Sequence, residues 1–81
     1  MGSVRIAGIR FIAHPQDHLP PHIHAVTGSG VVFIELLGNG NVGLDKRKTA
    51  TGGAKNSDVR KALNAAASRY DLLVELWEKA R

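Results

Sequence analysis

The chain has 81 residues, no cysteine, 11 Lys+Arg against 7 Asp+Glu and a formal charge of +4. That length suits a single domain with a modest core and leaves little room for a deep substrate cavity. The lack of cysteine excludes a disulfide scaffold, a cysteine-ligated zinc site and a thiol nucleophile. Charged residues at 22% and apolar residues at 43% fit a folded domain rather than a disordered one. No apolar run approaches the ~18 residues of a membrane span. The N-terminus carries an early Arg5 and no continuous apolar stretch, so no signal peptide is expected and a cytoplasmic location is.

The first half reads as β. Val4–Ile6 and Ile9–Ala13 alternate roughly between apolar and other residues, with Ala7-Gly8 as a tight turn or bulge between them. Pro15, Pro20 and Pro21 bracket an extended loop, because each lacks an amide donor and pushes its predecessor out of the helical region. His22–Val26 forms the next strand, Thr27–Gly30 a turn, and Val31–Leu37 the strongest strand of the chain. Asn39-Gly40 supplies the left-handed residues of a hairpin turn, and Val42 to about Lys48 returns with Val42 and Leu44 on its buried face. Residues 49–56 read as a flexible connector with two glycines.

After the connector the period changes. Val59, Ala62, Leu63, Ala66, Tyr70, Leu73, Val74 and Trp77 recur at steps of three and four, which predicts an amphipathic helix. Asn56 or Ser57 can cap it, with Asp58 in the first turn. A helix continuous from Asp58 to Lys79 would be ~33 Å long and would overhang a small sheet. Ser68-Arg69-Tyr70-Asp71 resembles a fresh N-cap, so a break there is expected as an alternative. The expected fold is a single α+β domain over 1–81: an antiparallel sheet of about four strands within 3–48, the connector 49–56, and one long or two short helices within 57–80 packed on one sheet face. Trp77, Tyr70 and Phe33 read as core rather than stacking platforms, while Phe11 could face either way.

Charge is uneven along the chain. Residues 1–40 are neutral, with Arg5 and Arg10 against Asp17 and Glu35. The window 45–61 carries the whole excess, with Lys46, Arg47, Lys48, Lys55, Arg60 and Lys61 against Asp45 and Asp58. Such a patch attracts phosphates or an acidic protein face, and counterion release supplies affinity if the partner is nucleic acid. No aromatic is interleaved with these six residues, so base stacking has little support there.

The second chemical feature is histidine. His14, His18, His22 and His24 fall close together, and His22 and His24 share one face of a strand at i and i+2. Neutral imidazoles of His14, His22 and His24 could bind zinc, copper or nickel, with Asp17 as a ligand or tautomer-fixing partner. His22 or His24 could also work as a general acid–base without metal. Against these stand packing and partner-contact roles for the same imidazoles. Gly28-Ser29-Gly30 is too short a pattern for a phosphate cradle, and Ser29 lacks the strand–turn–helix elbow of a hydrolase nucleophile.

The string His18-Leu19-Pro20-Pro21-His22-Ile23-His24 resembles the H-x-P-P-H-x-H signature of a family of small bacterial domains of unknown function. Ile6-Ala7-Gly8-Ile9-Arg10-Phe11, the hairpin through Gly38–Val42 and the closing Leu76-Trp77-Glu78 are similar to the same family. The resemblance implies a compact α+β domain from bacteria or their mobile elements, often encoded beside a second small domain in toxin–antitoxin-like modules. It carries no catalytic residues over. The Ala/Gly-rich connector at 49–54 departs from the family pattern.

Together these features predict a non-enzymatic binding or regulatory protein of a bacterial or mobile-element defence-type system. It would be a toxin–antitoxin component, or a phage-encoded inhibitor such as an anti-CRISPR. It would meet a protein or nucleic-acid partner through Lys46, Arg47, Lys48, Lys55, Arg60 and Lys61, with no cofactor and no membrane. A histidine-dependent ribonuclease-type toxin and a histidine metal-binding module are the alternatives.

Overall fold

The computed structural model describes residues 2–13, 21–45 and 51–80. Five strands, β1 (Gly2–Ile6), β2 (Ile9–Ala13), β3 (His22–Val26), β4 (Val31–Gly38) and β5 (Asn41–Leu44), precede two helices, α1 (Asn56–Ser68) and α2 (Tyr70–Ala80). The strands form one sheet in chain order, every neighbouring pair antiparallel. This is the α+β arrangement read from the sequence, with five strands in place of about four. The extension of β5 to Lys48 lies outside the described residues.

Two of the turns share one geometry, which residue type favours at Asn39-Gly40 and at Gly8 but not at Ala7. Ala7 and Gly8 have φ of 52° and 80°, and Asn39 and Gly40 have 55° and 81°. Both φ values positive is the pattern of a two-residue type I′ hairpin, whose twist matches that of the flanking strands. The β3–β4 connection is held differently: the Thr27 hydroxyl donates to the Gly30 carbonyl at 2.6 Å and accepts from the Gly30 amide at 3.1 Å.

The strand register sorts the side chains into two faces. One carries Val4, Ile6, Ile9, Phe11, Ala13, Ile23, Ala25, Val32, Ile34 and Leu36, and it forms a single core with both helices. From the helices come Val59, Ala62, Ala65 and Ala66 of α1 and Leu73, Leu76, Trp77 and Ala80 of α2. The alanines of α1 are small enough to let that helix sit close to the sheet. It lies over β4 and β5, while α2 covers β1, β2 and β3.

The helix does break, one residue after Ser68. Arg69 leaves the helical region with φ −128° and ψ 41°. Its amide still bonds back to Ala65 and Ala66, and its carbonyl accepts the first α2 bond, from Leu73. Ser68 does not cap α2; its hydroxyl donates to the Ala65 carbonyl at 2.8 Å. In α2 the buried face is completed by Leu76 and Ala80, each three residues after a member of the predicted stripe. A body measuring 29 × 24 × 23 Å has no room to support one straight helix of ~33 Å.

Two expectations about core residues change. Phe33 belongs to the other sheet face, because Val32 and Ile34 on either side of it point into the core. Leu44, on edge strand β5, is 41% exposed rather than buried. Phe11 is fully buried.

The described part of the connector is a packed turn, not a free tether. The position before α1 is Lys55, which makes no side-chain cap bond; neither Asn56 nor Ser57 holds that place. Instead the Ser29 hydroxyl, from the β3–β4 turn, accepts the Lys55 amide at 2.9 Å and donates to the Asp58 carboxylate at 2.5 Å. Close backbone contact seals the junction. A methyl on Gly30 would fall 2.5 Å from the Gly52 carbonyl oxygen. One on Gly52, itself at φ +52°, would run into the Val31 carbonyl.

Gly52→Ala should therefore destabilise the protein by more than about 2 kcal/mol in urea unfolding, adding a steric clash to the cost of a left-handed residue. Gly53→Ala shares a positive φ, but a methyl there meets nothing within 4 Å, so it should cost only about 1 kcal/mol. Equal losses in the two variants would refute the packed junction.

Candidate functional site

Lys55, Arg60 and Lys61 are all exposed, Lys55 at the start of α1 and the other two in its first turns. The same window holds Asp58, whose carboxylate is engaged by Ser29. None of the three cations makes an ion pair or side-chain hydrogen bond among the described residues. Their charge therefore faces solvent with no carboxylate bonded to it among the described residues, Asp58 being the one acid in the same turn. Lys46, Arg47 and Lys48 lie outside the described residues.

Among the described residues the one ion pair is Lys79–Glu75 at 2.7 Å on α2. The hydrogen bond and charge of Lys79 hold the Glu75 carboxyl below its usual range. Glu75 borders an open cleft of about 450 Å³ at the α1–α2 break, together with Gly40, Ser68, Arg69, Tyr70 and Asp71. Among the described residues, none of those expected to bind a partner or a metal lines it.

His22 and His24 do share a strand face, with ring centroids 5.8 Å apart. Their settings differ. His22 is only 6% exposed, lies across from Glu35 in the β3–β4 ladder, and meets the Trp77 ring at a 46° tilt with centroids 5.6 Å apart. His24 is half-buried, lies across from Phe33, and meets that ring edge-on at 4.6 Å. A run of four rings thus links Trp77, His22, His24 and Phe33. Among the described residues no group of three His, Cys, Asp or Glu is gathered to hold a metal. His14, the third expected ligand, lies outside those residues, as do His18 and Asp17.

Sequence reasoning passed over one charged feature. Arg5 and Arg10 lie directly opposite each other in the β1–β2 ladder, both exposed, on the face away from the core. Like charges facing across a ladder oppose folding. The signal was present, since a two-residue turn at Ala7-Gly8 makes Arg5 the partner of Arg10.

No described helix is long and apolar enough to cross a membrane. Residues 8–78 match the model of the family described as Domain of unknown function (DUF4160), and the chain belongs to that family. No curated protein and no solved structure matches it.

His22→Ala should lower stability by about 1–3 kcal/mol, as loss of a buried packing partner does. The Lys55→Ala/Arg60→Ala/Lys61→Ala variant should stay within about 0.5 kcal/mol of the parent. Urea unfolding of both checks the assignment of packing to the first site and surface to the second.

Proposed function

We propose that this member of the DUF4160 family is a cytoplasmic, non-enzymatic binding protein of a bacterial or mobile-element defence-type system, a toxin–antitoxin component or a phage-encoded inhibitor such as an anti-CRISPR. It acts by covering a partner's surface through the basic segment 45–61. The observation that carries this reading is the unpaired charge of Lys55, Arg60 and Lys61 at the start of α1. Cations that make no internal ion pair contribute little to the fold and remain available to an anionic partner. Charges of this kind speed association and make it sensitive to salt. The packed junction beneath them supports the reading too, because Ser29, Gly30 and Gly52 fix where α1 begins and hence where its cations stand.

The histidine alternatives, ribonuclease-type toxin or metal module, rest on His22 and His24. The burial of His22 against Trp77 favours packing over contact with a substrate.

Heparin, a polyanion, serves as the probe. A variant with alanine at Lys46, Arg47, Lys48, Lys55, Arg60 and Lys61 should elute from a heparin column at clearly lower salt than the parent, with an unchanged circular dichroism spectrum. Elution at the same salt would rule out the segment as the anionic-partner surface.

A further inference from the structure

We propose that Arg5 and Arg10, on the sheet face turned away from the helices, form a second contact site, one that takes the sugar–phosphate backbone of a nucleic acid. This goes beyond the reading above, which concerns the 45–61 segment alone, and either can fail without the other.

The pair carries a cost to the fold. Two arginines opposite each other in an antiparallel ladder have Cβ atoms ~5 Å apart. Neither makes an ion pair or side-chain hydrogen bond among the described residues. Among the described residues no acid balances them in space. Glu35 stands on β4, two strands from β2, and is only 9% exposed; Asp17 is outside the described residues. An uncompensated like-charge pair opposes folding, so its compensation is expected from outside the molecule.

The rest of the row indicates what that outside body is. Arg10 pairs with Val26, and Val26 with Val31, so the row reads Arg5, Arg10, Val26, Val31 across four strands. At ~4.8 Å per strand it spans ~15 Å. Val26 is 38% exposed. A nucleic-acid strand offers both complements. Its phosphates accept the two-pronged guanidinium hydrogen bonds, and its base and sugar faces can lie on apolar side chains. Its charges also come in a regular series, ~3.4 Å apart along each strand of a duplex, which suits several cations in a row.

Position adds a third cation. Val26 and Val31 flank the Thr27–Gly30 turn, and through Ser29 that turn holds the Lys55 amide and Asp58. Lys55 therefore stands at the same end of the sheet as the Arg5–Arg10 row, and a strand lying on the row can run on toward α1.

The test is fluorescence anisotropy with labelled 20-nucleotide single-stranded RNA and 20-base-pair duplex DNA, from 50 to 200 mM NaCl. The proteins are the parent, Arg5→Ala/Arg10→Ala, Arg5→Lys/Arg10→Lys, and Lys55→Ala/Arg60→Ala/Lys61→Ala. The parent should bind at least one probe. The double alanine variant should bind about tenfold or more weaker, with the duplex salt slope reduced by about two. Its melting temperature should equal or exceed the parent's, because a repulsive pair has gone. The double lysine variant should keep the parent's salt slope. Four results would overturn the proposal: no nucleic-acid binding by the parent at 50 mM salt, parent-like binding by the double alanine variant, a melting temperature several degrees lower in that variant, or equally tight binding to poly-glutamate, which would assign the row to an acidic protein. A loss confined to the Lys55/Arg60/Lys61 variant would overturn the Arg5–Arg10 site while leaving the basic segment as the contact surface.

Discussion

The structure turns on one shared hydroxyl. Ser29 sits in the turn between β3 and β4 and bonds to both the Lys55 amide and the Asp58 carboxylate, so it sets where α1 begins. Once that start is fixed, helical geometry puts Val59, Ala62, Ala65 and Ala66 over β4 and β5. The remaining apolar surface, on β1 to β3, lies to the side, and the turn at Arg69 lets α2 take a new course across it. The same start leaves Lys55, Arg60 and Lys61 facing solvent. The placement of the buried face of α1 and of its exposed charge thus rests on a contact between residues far apart in sequence.

That explains what could be read in the sequence and what could not. Periodicity is local, so the strands, the helical stretch and the Asn39-Gly40 turn were all legible. The break at Ser68–Arg69 was legible as a position but not as a mechanism, because Ser68 bonds backward to Ala65 rather than forward. The packing of residues 51–54 was hidden for a different reason. Glycines in series look the same whether they grant freedom or permit close approach, and only the Val31 carbonyl distinguishes the two. Phe33 was misplaced because Val31–Leu37 is apolar at nearly every position. Glu35, two residues on, shares its face and was the available marker.

At the candidate sites the legible part was residue type, not company. The i, i+2 spacing gave His22 and His24 a common face, yet nothing local announced that Trp77, more than fifty residues later, would lie against His22. For the cations, position in the chain is a poor guide to position in space. Counting charge over the first half cancels Arg5 and Arg10 against Asp17 and Glu35. Electrostatics depends on distance, and the ladder brings the two arginines together while Glu35 lies buried two strands away from Arg10.

The strictly sequential strand order has a consequence for how the molecule is made. Every strand pairs with its neighbour in the chain, so the sheet needs only short loops to close and can assemble from the N-terminal side onward. Its cover comes last. Until α1 and α2 pack on it, the face carrying Phe11, Ile23 and Ile34 is bare. For that interval the nascent sheet is a sticky, half-finished object. A chain truncated before the helical segment would keep that apolar face bare and be prone to aggregate.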